Sequence, residues 1–211
     1  MSSMAAVKRR PYRTTIRRGD APELICAAAY RLFSDKGYLA TSIEEIAAEA
    51  GVARPTIFTA VGPKATILRL VVDQALAGDD APVPIAERAW WREAVDEPDA
   101  VRSIELHARN MCLINQRAAP VLRALEIAAA VDAEAGELWK RFQRQRHDGL
   151  NEFAVALTRK TTRVRYDEGA ITDTLCMLAA DAYLRLVRDA GWPVERYQDW
   201  LTDALLRLFL D

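Results

Sequence analysis

The most constraining feature of this sequence is a pair of very short helical segments that meet at a tight turn, within residues 42–63. Ser42 and Glu45 have the spacing of a capping box, and Gly51 can end the first segment in a left-handed conformation. The second segment begins next to Pro55, which is tolerated in the first turn of a helix, and a Gly-Pro pair ends it. Helices of about two turns are unstable alone, so both must pack on neighbouring helices.

Longer helical patterns flank this pair. Asp20 and Pro22 indicate the start of a first helix, which ends near Gly37, and Lys64 opens another helix after the pair. A turn-rich segment follows at residues 78–84. Beyond it the pattern is helical throughout, and prolines 98, 120 and 193 stand where helices could begin. The pattern predicts helices near 98–117, 120–130, 132–159, 167–190 and 195–210, and therefore an all-α protein.

Charge is distributed unevenly along the chain. Residues 1–18 contain six basic residues and no acidic one, whereas the whole chain has a net charge of -1. A basic N-terminal part followed by an acidic body favours a polyanionic partner at one end only. A solvated basic tail fits the same charge pattern.

Several classes of protein are disfavoured by what the sequence lacks. Cys26, Cys112 and Cys176 lie far apart, without the spacing of a disulfide framework or of a zinc site. No apolar run of about eighteen residues is present, nor a signal peptide, so we expect a cytoplasmic protein that does not span a membrane. Motifs of hydrolases, nucleotide-binding proteins and zinc peptidases are also absent, so we expect no enzyme, no cofactor and no metal.

Two short helices around a glycine-containing turn have the geometry of helix-turn-helix DNA readers. In those proteins the second helix enters the major groove, and flanking groups hold phosphates. Spacing alone is a weak indication, because short helical hairpins are common in all-α proteins.

The particular residues make the indication stronger. Residues 27–68, AAAYRLFSDKGYLATSIEEIAAEAGVARPTIFTAVGPKATIL, resemble the N-terminal domain of the TetR family of transcriptional regulators, and residues 186–210 resemble the last helices of many members. The residues that carry the N-terminal resemblance are Phe33, Gly37, Thr41-Ser42, Ile46-Ala47, Ala50-Gly51-Val52, Thr56 and Lys64.

The resemblance implies a homodimer that binds a palindromic operator in double-stranded DNA, in most cases as a repressor released by a small-molecule effector. It implies a basic flexible arm at residues 1–18, a helix-turn-helix domain at 19–64, and a C-terminal ligand-binding and dimerisation domain at 65–211. The DNA-binding residues it implies, with the arginines of the arm added, are Arg17, Arg18, Thr41, Ser42, Arg54, Pro55, Thr56, Phe58, Thr59 and Lys64.

The chain also departs from the family pattern. Phe58 stands where many members have Tyr, and Ala60 stands where His or Tyr usually contacts the DNA backbone. Val61 replaces a usual Phe, and Ala53 occupies the helix-cap position at a cost of about 1 kcal/mol. Arg54 is then the only charge on the recognition helix, so we expect the basic arm to supply phosphate contacts. A TetR-like small-molecule-binding dimer without specific DNA binding stays open, as does a small helical enzyme.

The C-terminal half offers candidates for the other two sites that the resemblance implies. Helical spacings of three and four place candidate pocket residues on common faces, although ordinary core packing would produce the same pattern. These candidates are His107, Met111, Trp139, Phe142 and Met177. Two apolar stripes are candidates for a dimer interface, although the core of one chain could use them instead. Their residues are Leu175, Leu178, Ala182, Leu186, Trp200, Ala204, Leu205 and Leu208.

Overall fold

A computed structural model describes residues 20–81 and 83–211, and it confirms the all-α fold. The basic arm, with Arg17 and Arg18, lies outside the described residues. The helices of the described part are α1 (Ala21–Lys36), α2 (Ile43–Ala50), α3 (Arg54–Ala60), α4 (Lys64–Ala77), α5 (Ala89–Asp96), α6 (Ala100–Ala129), α7 (Ala133–Lys160), α8 (Glu168–Met177), α9 (Ala180–Tyr183) and α10 (Val194–Phe209). A 3₁₀ turn (Ile85–Glu87) precedes α5, and a π-helical segment (Leu184–Asp189) continues α9.

The short helix α2 has the ends that its sequence predicts. The Ser42 hydroxyl accepts a hydrogen bond from the Glu45 backbone N–H, and the Glu45 carboxylate accepts one from the Ser42 backbone N–H. Gly51 ends the helix with φ at 69°, in the left-handed region that favours glycine. Both orphaned ends of this two-turn helix are therefore satisfied locally.

The described part contains two clusters of buried apolar residues, which we name the first core and the second core. The first core joins α1–α4 to the C-terminal half of α6 and the N-terminal half of α7. The second core joins α5, the N-terminal half of α6, the C-terminal half of α7 and α8–α10. The long helices α6 and α7 therefore run through both cores and connect them. The predicted boundary between residues 64 and 65 stays a prediction.

Three details of the C-terminal half differ from the sequence-based prediction. Pro120 does not begin a helix, because α6 runs through it from Ala100 to Ala129. The helix is packed in both cores, and this burial outweighs the cost of about 3 kcal/mol for an internal proline. The predicted helix at 167–190 breaks after Met177 and resumes at Ala180, and α5 was not predicted at all. Among the described residues, none of the helices has the length and apolar character that crossing a membrane requires.

Candidate nucleic-acid interface

Helix α3 is held by one side and presents the other to solvent. Ile57 is its only fully buried residue and packs in the first core. Arg54, Pro55, Phe58 and Thr59 are exposed, and Phe58 is 46% exposed despite its large apolar ring. A short helix anchored on one face and exposed on the other has the shape required to enter a DNA groove.

Ser42 and Lys64 lie at the N-termini of α2 and α4. Ser42 caps α2, and the Lys64 ammonium stands 4.1 Å from the ring centroid of Tyr38. Partial burial lowers the pKa of Lys64, while Asp132 and Glu45 act in the opposite direction. Burial, then Asp132 and Glu134, raises the pKa of Tyr38 to about 12. The turn between α6 and α7 therefore brings negative charge towards the N-terminus of α4.

Thr41 is a correction to the predicted set of DNA-binding side chains. Its side chain is only 2% exposed, and its hydroxyl donates a hydrogen bond of 2.8 Å to the carbonyl of Gly37. Its backbone N–H donates to the carbonyl of Tyr38. Both donors of Thr41 are used to build the turn between α1 and α2, so the residue is not available to a phosphate.

The cations of the described N-terminal helices are mostly paired with acids. Residues 20–78 hold five cationic side chains, and four of them form ion pairs. Three of these pairs use the glutamates of α2. The pairs are Arg31–Glu49, Lys36–Glu45, Arg54–Glu44 and Arg69–Asp73. This surface consequently has little free positive charge of its own, although a DNA reader needs it for affinity.

Comparison with known proteins identifies this helical arrangement. Residues 25–74 match the sequence model of the family described as bacterial regulatory proteins, tetR family. Residues 25–74 therefore form a domain of the TetR-family type. The matched segment covers α2, α3 and most of α1 and α4.

Solved structures extend the likeness of fold to almost the whole chain. A TetR-family transcriptional regulator from Mesorhizobium loti is 20% identical, with a TM-score of 0.64, over 92% of this chain and 99% of that one. NalD, the secondary repressor of the MexAB-OprM multidrug efflux pump in Pseudomonas aeruginosa, is 19% identical, with a TM-score of 0.64, over 92% and 98%. A transcriptional regulator from Saccharomonospora viridis, solved in complex with choline, is 16% identical, with a TM-score of 0.68, over 92% and 99%. No curated protein sequence matches the chain significantly.

The predicted pocket residues do not come together as one group. His107 and Met111 are buried in the second core, whereas Trp139 and Phe142 pack with the first core. Met177 is 69% exposed at the end of α8, so its inclusion among pocket residues was wrong. The helical faces were inferred correctly within α6 and α7, but spacing could not tell which core each face meets.

His107 is the most unusual polar residue of the second core. It is 1% exposed, its ring stacks on Phe153 at a centroid distance of 3.9 Å, and Trp91 meets it edge-on at 5.9 Å. Neither ring nitrogen has a hydrogen-bond partner. Burial, with the charge of Lys160 adding to it, lowers the pKa of His107 to about 3, so the imidazole is neutral.

The predicted dimer residues divide into surface and core. Leu175 and Leu205 are fully buried within the single chain, so their assignment to an interface was wrong. They face the second core because α8 and α10 pack inward along these positions. The remaining six keep exposed surface: Leu178, Ala182, Leu186, Trp200, Ala204 and Leu208.

Sequence reasoning missed a polar junction between the N-terminal helices α1 and α4 and the long helix α6. The Tyr30 hydroxyl of α1 donates to the carbonyl of Arg117 at 2.8 Å. The Arg117 guanidinium donates to the carbonyls of Ala75 and Leu76 at the end of α4, at 3.2 and 3.4 Å. A Cβ atom on Gly78 would lie 3.0 Å from the guanidinium carbon, so this close approach favours glycine there. The nearby internal proline of α6 was the one signal that this part of the helix is special.

Proposed function

We propose that the chain is a homodimeric, sequence-specific DNA-binding repressor in which α3 lies in the major groove. The observation that carries this proposal is the seven-residue α3, with Ile57 as its one fully buried residue and an exposed face of Arg54, Phe58 and Thr59. An arginine can bind guanine, and an apolar ring can contact the thymine methyl group. We propose the repressor sense because NalD, which shares the fold, is a repressor.

Phosphate affinity comes in this proposal largely from residues 1–18. The described N-terminal helices have most of their cations in ion pairs, whereas the arm holds six basic residues. Lys64 and the N-termini of α2 and α4 add contacts at the groove edge. Replacing the six arm cations with glutamine should flatten the log-log salt dependence by about 0.9 for each phosphate that the arm no longer neutralises. An unchanged slope would remove the arm from the interface.

Dimerisation is proposed to use the partly exposed apolar residues between positions 178 and 208. Leu178, Leu186 and Trp200 are half-buried against the second core and Leu208 is 36% exposed, so each keeps some accessible surface. A twofold arrangement of these helices would present two copies of α3 to a palindromic site. Changing Leu186 and Leu208 together to glutamate should give a folded monomer, as measured by sedimentation.

An effector is proposed to act on the second core, and the chain is proposed to work in the cytoplasm without catalysis. His107 supplies a buried imidazole that can both donate and accept a hydrogen bond. The Tyr30–Arg117–Ala75 junction then connects α6 to α1 and α4. The fold holds choline in the Saccharomonospora viridis regulator, so it can accommodate a small molecule. An effector releases DNA only by its preference for the state that does not bind DNA.

Selection of bound sequences from a random duplex pool tests the DNA-binding part of this proposal. The purified full-length protein, shown to be folded and dimeric, should enrich a palindrome at near-physiological salt. Failure to enrich any motif would favour the alternative of a TetR-like small-molecule-binding dimer without specific DNA binding. The uncapped Ala53 and the paired cations are the observations that favour that alternative.

The junction can be tested separately from DNA reading. Arg117→Leu should leave operator affinity measurable but reduce the response to any effector found by screening, because α4 loses its bonds to α6. Arg123→Leu is a suitable control, since Arg123 is an exposed α6 arginine paired only with Glu126 in the same helix. Equal responses in wild type and Arg117→Leu would contradict the proposed coupling path.

A further inference from the structure

The arginine at the start of the recognition helix is held by two neighbours. The Arg54 Nε atom lies 2.6 Å from the Glu44 Oε1 atom, and the guanidinium carbon lies 5.4 Å from the ring centroid of Phe58. Glu44 belongs to α2, whereas Phe58 is one turn further along α3. The guanidinium is therefore located by a carboxylate from one helix and an aromatic ring from the other, although both charged side chains are about 60% exposed.

The Glu44 carboxylate lies on the Nε side of the Arg54 guanidinium. Arginine has five N–H donors in a fixed planar fork, and the guanidinium atom of the ion pair is Nε. The two terminal nitrogens keep donors that point away from the side-chain stem. Two parallel donors are what the O6 and N7 atoms of guanine accept in the major groove. An ion pair on the Nε side thus draws the guanidinium towards Glu44 while leaving its terminal nitrogens for a base.

Glu44 also has an electrostatic effect that differs from simple stabilisation. Arg54 occupies the first position of α3, where the helix dipole disfavours a cation. An adjacent carboxylate offsets that cost and reduces the attraction of Arg54 for phosphates in general. Removing the carboxylate should therefore raise non-specific DNA affinity while lowering selectivity, and these two opposite changes distinguish positioning from loss of folding.

We propose that Glu44 is a positioning residue that directs Arg54 to a guanine in each operator half-site. The proposal rests on the proposed function, because it requires α3 to lie in the major groove. Glu44 makes no base contact itself. Its role is to hold the arginine fork in one orientation before and during binding, so that less side-chain entropy is lost when the base is bound.

Glu49 provides a matched control for this proposal. It is on the same helix, carries the same charge and forms an exposed ion pair, but its partner is Arg31 of α1, which also donates a hydrogen bond to it. Removal of either glutamate subtracts one negative charge from α2. A general charge effect would act in both variants, whereas an effect through Arg54 would act only in the Glu44 variant.

The test uses the full-length protein and the motif that it selects from a random duplex pool. Arg54→Ala first identifies the half-site position at which guanine preference depends on Arg54. Competition binding with duplexes altered at that position then measures the preference of wild type, Glu44→Ala, Glu44→Gln and Glu49→Ala. We expect Glu44→Ala to reduce the guanine preference about tenfold, within the range of one bidentate contact. Glu44→Gln should retain an intermediate preference, and Glu49→Ala the full one.

A double variant completes the test. Glu44→Ala combined with Arg54→Ala should show no further loss of guanine preference than Arg54→Ala alone, because one interaction is removed in both. The proposal is overturned if Glu44→Ala keeps the wild-type preference, or if Glu49→Ala lowers it equally. If the folded wild-type protein enriches no motif, the proposed function fails, and this inference fails with it. If the protein enriches a motif whose guanine preference does not depend on Glu44, only this inference fails.

Discussion

The two cores of this chain treat buried polar groups differently. Beside the first core, the hydroxyls of Thr41 and Ser42 form hydrogen bonds with backbone groups three or four residues away. Among the described residues, the two fully buried ones with a side-chain N or O atom that lacks a hydrogen-bond partner are His107 and Tyr197, and both pack in the second core. The second core also holds the break after α8 and the π-helical segment. The first core therefore fixes a local geometry, and the second core is the one on which the proposed effector would act.

The largest expected effect separates the two cores by their link to DNA. Ile57→Ala should lower the free energy of unfolding by about 2–5 kcal/mol, because it leaves a cavity at the only fully buried residue of α3. Specific DNA binding should be lost with it. Ile171→Ala, at an equally buried position of the second core, should cost a similar amount but leave operator affinity intact in the folded protein. Denaturant unfolding and anisotropy titrations measure both.

That contrast would be broken by one result. If Ile171→Ala weakened operator binding as much as Ile57→Ala, under conditions where both variants are folded, α3 would not depend specifically on the first core.

The next effect concerns pH and His107. The unfolded chain takes up a proton at the ordinary histidine pKa of 6.5, whereas the buried imidazole stays neutral down to about pH 3. Unfolding is therefore favoured as pH falls through this window, with a slope approaching 1.4 kcal/mol per pH unit from this group. His107→Leu should flatten the dependence of unfolding free energy on pH between 6 and 4, as measured by denaturant titration.

His147 is the control for this prediction, because its side chain is 55% exposed. His147→Gln should keep the wild-type pH dependence. An identical pH profile in wild type and His107→Leu would show that His107 is accessible to protons in the folded protein.

A smaller effect tests the capping hydrogen bond at the start of α2, beside the first core. Ser42→Ala removes the cap of α2 and should lower the free energy of unfolding by about 1 kcal/mol. Ser34→Ala is the comparison, since the buried Ser34 hydroxyl has no hydrogen-bond partner and its removal should cost much less. Equal costs in thermal unfolding would mean that the capping box does not stabilise the fold.

The smallest effect is expected at an exposed ion pair. Arg31→Gln breaks the pair with Glu49 but should change the free energy of unfolding by no more than about 1 kcal/mol, because both side chains are solvated. Arg88→Gln is the contrast: its guanidinium is 7% exposed and bonds to Asp79 and two backbone carbonyls, so its loss should cost more. A larger cost for Arg31→Gln than for Arg88→Gln would reverse this expectation.

The parts of the fold that sequence predicted are those determined by local chemistry. The capping box at Ser42, the left-handed Gly51 and the exposed position of Arg54 follow from neighbours within a few residues. Pro120 was misassigned because its cost is balanced by packing in two cores, which no local pattern records. The inward orientation of Leu205 was unpredictable for a related reason: an apolar stripe in the sequence does not show whether the same chain or a second chain packs on it.

Among the candidate site residues, too, features set by nearby residues in the sequence were predictable and contacts between separate helices were not. The exposure of Arg54 and Thr59 follows from the amphipathic pattern around Ile57, whereas Ala60 is half-buried against the first core. The Glu44–Arg54 pair and the Tyr30–Arg117 bond were not, because each joins separate helices whose relative rotation depends on tertiary packing.

Sequence-specific binding by α3 is the central claim, and one comparison of affinities tests it most directly. Anisotropy titration at near-physiological salt would compare the selected duplex with a scrambled duplex of the same composition, for wild type and for Arg54→Ala. We predict that wild type binds the selected duplex at least about 10³-fold more tightly, and that Arg54→Ala loses part of this ratio while still binding both duplexes. Equal affinity of the folded, dimeric wild-type protein for both duplexes would contradict the account.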